Sequence, residues 1–149
     1  MDEGFTQIQE HFFDYLRELN DVSAVTLAIH LHVEYLIDRL IREKSPTAKE
    51  ILTNSQYTFS IKLNLVYNMG LIPEYIFTNI KKLNKLRNGI AHNLNIDLSK
   101  QDLNFQRDDN NSYDVRVVEG DINKLMTLAA YTFGFLDYHC SREHGIRDM

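Results

Sequence analysis

The sequence is poor in the residues that crosslink or interrupt a chain. Its 149 residues include one cysteine, two prolines and no tryptophan. One cysteine excludes an internal disulfide and a zinc site built from several thiolates, so we expect Cys140 to be a packed thiol. The length allows one domain, residues 1–149, to bury a core without crosslinks, and eight Phe and eight Tyr supply bulk for it.

Long apolar runs are also missing. The longest nearly apolar stretch, from Met126 to Leu136, is too short to span a bilayer. The first residues, Met1 to Gly4, are acidic and lack the apolar core of a signal peptide. The sequence therefore predicts a cytoplasmic protein that makes no membrane contact.

One long segment contains no acidic residue. Between residues 75 and 96 there is no Asp or Glu, whereas Lys81, Lys82, Lys85 and Arg87 all lie there. The formal net charge of the whole chain is -5, so this segment stands out against an acidic background. A local excess of positive charge indicates an anionic partner for the segment.

The same segment has the periodicity of an amphipathic helix. Its apolar stripe comprises Ile76, Ile80, Leu83, Leu86 and Ile90. Arg87 lies at the edge of that stripe, and Lys81 and Lys85 flank a polar ladder beside it. The ladder consists of Asn84, Asn88 and His92, which follow one another at four-residue spacing.

Arg87 and His92 do not share a face of this helix. His92 lies five positions after Arg87, which is about 140° of rotation on an ideal helix. Two arrangements would bring them together. Gly89 between them would have to loosen or end the helix, or a second copy of the helix would have to face the first across a dimer axis.

The rest of the chain predicts an all-α bundle of five or six helices with a small hairpin. Asp21 and Ser23 are candidate N-caps for the second helix, and Pro46 is expected at the first position of a short one. Gly70 is expected just after the fourth helix and Asp121 as the cap of the last. The first helix is expected over residues 5–19, and the second is expected to end at about residue 44. A short helix is expected after residue 46, a fourth over 58–69, the motif helix from residue 73, and the last over 121–142. A hairpin is expected over 103–107 and 113–118.

An Arg followed at this spacing by a His, at the end of a long helix, resembles the motif of the HEPN superfamily. These are small all-α proteins, many of them metal-independent ribonucleases and many of them toxins. The stretch 69–74, Met-Gly-Leu-Ile-Pro-Glu, resembles the mannitol operon repressor-like branch of that fold, which is implicated in regulation. The resemblance covers residues 22–93, about half of the chain.

The resemblance implies a metal-independent endoribonuclease, a toxin or defence effector, in which two motifs of a homodimer form one cleft. A histidine is the natural acid or base for RNA cleavage, and an arginine presents a fork suited to phosphate, so His92 and Arg87 are the candidate catalytic pair. Asn88 is the third candidate, as a group that orients His92 or binds phosphate. Lys81, Lys85 and Asn84 are candidate RNA-binding residues. No cofactor or metal is implied.

Two other interpretations remain open. The fold could serve as a non-catalytic regulatory or protein-interaction module, as its mannitol repressor-like stretch suggests. Alternatively, Arg87 could be structural and pair with Glu34 and Asp38 on the second helix, and these two carboxylates could also orient Arg87 for catalysis. Some family members are toxins silenced by modification of a Tyr two residues after the motif His. This chain has Leu94 there, so an antitoxin or regulatory partner would act differently.

A metal site is a weaker hypothesis. His30, His32 and Glu34 alternate along the second helix, but only His30 and Glu34 share a face. Two ligands without a third are more typical of a polar contact between packed helices. We therefore expect His30 and Glu34 to make such a contact.

Overall fold

The structure is a computed structural model that describes residues 7–93 and 95–146, with the side chains of residues 7–10 outside that description. The helices in this part are α1 (Gln7–Leu19), α2 (Val22–Lys44), α3 (Ala48–Leu52), α4 (Phe59–Asn68), α5 (Glu74–His92), α6 (Asp121–Ala129) and α7 (Phe135–His144). A π-helical segment, Ala130–Gly134, joins α6 to α7. Strands β1 (Asn104–Gln106) and β2 (Ser112–Asp114) form an antiparallel hairpin. The expected helical fold with a small hairpin insert is confirmed.

Helix α2 is the centre of the bundle. It packs against α5, α4, α6, α3, α7 and α1. Its buried side chains cover more than one face, as the wide apolar pattern of its sequence predicts. Phe5, where the first helix is expected to begin, and Leu94, which follows the motif, lie outside the described residues. None of the described helices has the length and apolar character needed to cross a membrane.

Side-chain caps fix the starts of α2 and α4. The Asp21 carboxylate accepts a hydrogen bond from the Ala24 backbone N–H at 2.9 Å, so Asp21 and not Ser23 is the N-cap. Thr58 caps α4 by accepting from the Ile61 N–H. Gly70 follows α4 with a φ of 74°, a conformation that glycine adopts without strain.

Two other helix starts differ from expectation. Helix α3 begins at Ala48 with Thr47 as its N-cap, so Pro46 precedes the helix instead of starting it. Asp121 is the first residue of α6, and the cap is Gly120, whose φ of 87° a side chain would strain. The charge of Asp121 in the first turn still suits the positive end of the helix dipole.

The hairpin is shorter than its sequence suggests. Its turn places Asn110 at a φ of 64°, with the Asn110 N–H donating to the Arg107 carbonyl and the Arg107 N–H to the Asn111 carbonyl. This is the type I turn with a left-handed residue that closes many three-residue loops. The second strand ends at Asp114, because the chain enters a 3₁₀ turn, Val115–Val117, that buries Val115.

A buried amide joins the hairpin to the helices. Asn79 of α5 is fully buried. Its Oδ1 accepts from the Gln106 N–H at 2.8 Å, and its Nδ2 donates to the carbonyls of Gln106 and Tyr131 at 2.9 and 3.2 Å. Tyr131 belongs to the π-helical segment, where the wider turn alters the helical hydrogen-bond pattern. One side chain therefore holds β1, α5 and the C-terminal helix together.

Replacing Asn79 should destabilise the fold. Asn79→Ala would remove the partners of backbone groups of Gln106 and Tyr131, and each such group costs about 1–3 kcal/mol where it is shielded from water. We expect the free energy of unfolding, measured by urea titration, to fall by about 2–4 kcal/mol. Asn64→Ala, at an exposed position of α4, is the control and should change it by less than about 0.5 kcal/mol. Equal values for both variants would contradict the role of Asn79.

Candidate functional site

Helix α5 carries the motif without interruption. It is helical from Glu74 to His92, and the Asn93 N–H donates to the Gly89 carbonyl at 2.8 Å. The idea that Gly89 loosens or ends the helix is therefore wrong. Gly89 instead leaves room for the chain that follows, because a Cβ atom there would lie 2.9 Å from the Cδ1 atom of Ile96.

The two motif residues face different surroundings. Arg87 is half-buried and its Nη1 donates to the Asn88 Oδ1 at 3.1 Å. His92 is exposed in the last turn of α5, and its ring makes no hydrogen bond to any described residue. Since α5 is regular between them, the two side chains leave it about 140° apart. One copy of the chain does not bring them into one pocket.

The histidine that shares a pocket with Arg87 is His30. An open cavity of about 380 Å³ lies between α2, α5 and the start of α4. Arg87, Asn84 and Asn88 line it from α5, and His30 and Glu34 line it from α2. The hydroxyl residues Thr58 and Ser60 complete its wall on α4. The cavity is therefore polar and carries a guanidinium group.

His30 is buried at the wall of this cavity. It is 4% exposed and packs against the Phe59 ring, with 4.3 Å between ring centroids. Its Nε2 hydrogen-bonds the Asn84 Oδ1 at 3.0 Å, and its Nδ1 lies 4.0 Å from the Glu34 carboxylate. Burial lowers the pKa of His30 below its ordinary value of 6.5; the Asn84 hydrogen bond opposes that shift and the charge of Arg87 adds to it.

Glu34 and Asp38 do not pair with Arg87. Both bind Lys62 of α4, whose Nζ lies 2.7 Å from the Asp38 Oδ1 and 3.1 Å from the Glu34 Oε1. The Lys62 side chain is only 9% exposed. Burial alone would lower the pKa of Lys62, but its hydrogen bonds to Asp38 and Glu34 raise it above the ordinary value. The role assigned to these carboxylates, as partners that orient Arg87, is therefore corrected.

Sequence reasoning missed Lys62, although the sequence carries a signal for it. Lys62 falls in the inward-facing stripe of α4, between Phe59 and Val66 at helical spacing, and a lysine in such a stripe requires buried carboxylate partners. Glu34 and Asp38, one turn apart on α2, match this requirement. The ion pairs leave Arg87 with no carboxylate partner among the described residues.

The three lysines of α5 divide into two groups. Lys82 is committed to the hairpin, where its Nζ donates to the Asn104 carbonyl and lies 3.4 Å from the Asp102 carboxylate. Lys81 and Lys85 are exposed and form no ion pair with a described residue. Only the second group is available to a ligand.

The remaining candidate groups are structural. The His32 Nδ1 hydrogen-bonds the Ala28 carbonyl at 2.8 Å, and its ring packs against Phe12, so it faces away from His30. Within the described residues there is no group of three or more side chains able to hold a metal ion. Cys140 is fully buried, and burial raises the pKa of its thiol to about 12, as suits a packed thiol.

Stability should depend on pH through His30. Its pKa is lower in the folded than in the unfolded chain, so the stabilisation is complete above about pH 6.5 and is lost as the pH falls towards the folded value. We expect the free energy of unfolding to decrease on acidification by up to about 1.4 kcal/mol per pH unit. His30→Gln, which keeps a donor for Asn84, should lose part of this dependence in urea titrations followed by circular dichroism. Identical pH dependences would contradict a lowered pKa of His30.

No protein-family model, curated protein or solved structure matches this chain. The resemblance to the HEPN superfamily therefore depends on the residues at the end of α5 and in the loop before it. The function has to be argued from the geometry of α5 and of the pocket beside it.

Proposed function

We propose that this protein is a metal-independent endoribonuclease of the HEPN type that acts as a homodimer. Arg87, Asn88 and His92 are its proposed catalytic residues. The observation that carries the proposal is that Arg87 has no carboxylate partner among the described residues, although two carboxylates lie on the neighbouring helix. Lys62 binds both of those carboxylates, so neither forms an ion pair with the guanidinium group of Arg87.

An arginine that forms no ion pair with a carboxylate, in a polar pocket, favours a phosphate ligand. The guanidinium group keeps its charge at all physiological pH values and matches two phosphate oxygens with parallel N–H donors. The bond from Arg87 Nη1 to Asn88 Oδ1 uses only one of its donors. The remaining donors are free to hold a phosphodiester and to stabilise the charge that develops on its oxygens during cleavage.

The proposed reaction is an attack by the RNA on its own backbone. The 2′-oxygen bonds to phosphorus while the bond from phosphorus to the 5′-oxygen breaks. A base takes the proton of the 2′-hydroxyl, and an acid gives a proton to the departing 5′-oxygen. The products carry a 2′,3′-cyclic phosphate and a 5′-hydroxyl. His92 provides the imidazole for one of these proton transfers, and the His92 of a second copy provides the other.

The homodimer in this proposal is what the resemblance to the HEPN superfamily implies, and the direction of the side chains agrees with it. Arg87 and His92 leave α5 about 140° apart, so one copy cannot place both against the same phosphate. Two copies of α5 that face each other would place the exposed His92 residues and the Arg87 pockets along one cleft. A toxin or defence role, controlled by an antitoxin or other regulatory protein, is the proposed biological setting.

A second candidate function is a non-catalytic regulatory or protein-interaction module. The observation that favours it is a row of exposed apolar side chains on α2, namely Leu27, Leu31 and Tyr35, at four-residue spacing. A contiguous apolar strip of this kind is typical of a surface that contacts another protein. The two candidates differ in whether RNA is cleaved.

The motif residues should be essential for cleavage and dispensable for folding. We expect His92→Ala and Arg87→Ala each to reduce the cleavage of cellular RNA in excess EDTA by at least about a hundredfold, since each removes a proton carrier or a charge stabiliser. Mass spectrometry should find 2′,3′-cyclic phosphate ends only with the parent protein. Circular dichroism should show the same thermal unfolding for all three proteins.

Matched controls test whether the loss of any exposed His or Arg side chain would reduce cleavage. His11→Ala and Arg42→Ala remove the same side chains from exposed positions of α1 and α2, and both variants should cleave like the parent. If the motif variants cleave as fast as these controls, the catalytic assignment is wrong. If the folded parent does not cleave RNA at all, the regulatory module becomes the better proposal.

If the active site is a cleft between two copies, a His92→Ala chain should inactivate the parent chain with which it pairs. When parent and His92→Ala chains are mixed at one to three and allowed to exchange subunits, about a quarter of the parent chains remain paired with each other. Cleavage per parent chain should therefore fall to about a quarter if both copies contribute to each site. The same mixture without subunit exchange is the control. Unchanged cleavage per parent chain after exchange would show that one copy is sufficient.

A further inference from the structure

Three cavities adjoin one another along α4 and α5. The Arg87 pocket shares Ser60, Asn84 and Asn88 with a second cavity of about 320 Å³. That cavity in turn shares Lys81 and Lys85 with a third of about 380 Å³. Together they form one groove, called here the α4–α5 groove, that runs from the Arg87 pocket to the other end of both helices.

The charged groups in this groove favour an anion. Lys81 and Lys85 are exposed and unpaired among the described residues, and Arg87 stands at one end without a carboxylate partner. Of the acidic side chains in its wall, Glu34 is bound to Lys62, and Glu74 lies at the end farthest from Arg87. The groove is therefore a cationic strip on a chain whose formal net charge is -5.

An aromatic pair lies at the end of the groove opposite Arg87. Tyr67 of α4 and Phe77 of α5 are half-buried and stacked, with ring centroids 4.1 Å apart and an angle of 28° between the rings. The ammonium group of Lys81 lies 5.3 Å from the centre of the Phe77 ring. Aromatic rings beside lysines are the combination with which proteins bind unpaired nucleotides.

Amide groups fill the middle of the groove. Asn84 uses its Oδ1 for His30, and Asn88 uses its Oδ1 for Arg87. Neither Nδ2 donates a hydrogen bond to a described residue, so two amide donors remain available between the aromatic end and Arg87. Side-chain amides pair with base edges, which are accessible only where the RNA is unpaired.

We propose that the α4–α5 groove binds single-stranded RNA, with one base against the Tyr67–Phe77 pair, backbone phosphates at Lys81 and Lys85, and the reacting phosphate at Arg87. The distance along α5 from Phe77 to Arg87 is about 15 Å at the rise of an α-helix, enough for a few nucleotides. Unpaired bases are needed to reach the rings and amides, so duplex RNA is a poor ligand. That the ligand of the groove is RNA rests on the proposed ribonuclease function.

The charge contribution is tested by salt dependence. A labelled single-stranded oligoribonucleotide of about 12 nucleotides is bound to the His92→Ala protein, which prevents cleavage, and followed by fluorescence anisotropy. The double variant Lys81→Ala/Lys85→Ala in this background should flatten the slope of log affinity against log salt by about 1.4, the value for two lost phosphate contacts. Lys44→Ala/Lys49→Ala, two exposed lysines outside the groove, should leave the slope unchanged. Equal slopes for both double variants would overturn the proposal.

The contribution of base stacking to binding is tested with a tryptophan placed in the aromatic pair. The chain has no tryptophan, so Phe77→Trp introduces a lone indole at the aromatic end of the groove. Its emission should be quenched by the single-stranded oligoribonucleotide and not by a hairpin duplex of the same length. Tyr15→Trp, at an exposed position of α1, should show no quenching. Phe77→Leu should weaken binding about tenfold. Quenching by the duplex alone, or by neither RNA, would overturn the proposal.

These results are distinguishable from a failure of the proposed ribonuclease. If the groove variants lose binding while the parent does not cleave RNA, the groove is correct and the catalytic function is wrong. If the parent cleaves RNA and the Lys81→Ala/Lys85→Ala and Phe77→Leu variants cleave and bind like the parent, the catalytic function stands and the groove is overturned.

Discussion

The buried ion pairs of Lys62 determine the electrostatics of the whole site. By binding Glu34 and Asp38 at once, Lys62 fastens α4 to α2 beside the pocket that contains Arg87. A buried lysine without partners would be costly, and two carboxylates without a cation would attract the nearest guanidinium group. Because both carboxylates bind Lys62, neither of them forms an ion pair with Arg87. The same contact positions the start of α4, whose residues form the wall of the α4–α5 groove.

The sequence predicts the elements of this fold better than the contacts between them. Helical periodicity locates α2, α4 and α5 to within a residue or two, and Gly70 and Asp21 mark helix ends by local chemistry that does not depend on the rest of the chain. A helical wheel shows which face a residue occupies, but not which neighbouring side chain meets it. For that reason the sequence puts Glu34 and Asp38 on the correct face but does not identify Lys62 as their cation.

The other differences have the same origin. Nothing local in the sequence shows that Asn79 bridges the hairpin and the π-helical segment, because its partners are 27 and 52 residues away. Gly89 looks like a helix breaker locally, yet it serves a close approach of Ile96 in the following loop. The four-residue spacing predicts a polar ladder on α5, and the structure engages one member, Asn84, with His30, a contact between two helices far apart in the chain.

Some side chains of α5 hold the helix in the fold, and others are available to a ligand. Its inward side is tied down by the apolar stripe, Asn79 and Lys82, which join it to the core and the hairpin. Lys81, Lys85, Arg87 and His92 form no ion pair with an acidic side chain among the described residues. A helix held so firmly on one side loses little conformational entropy when a ligand binds the other. The net negative charge elsewhere also opposes anion binding outside the groove, so position and charge both favour the α4–α5 groove for an anion.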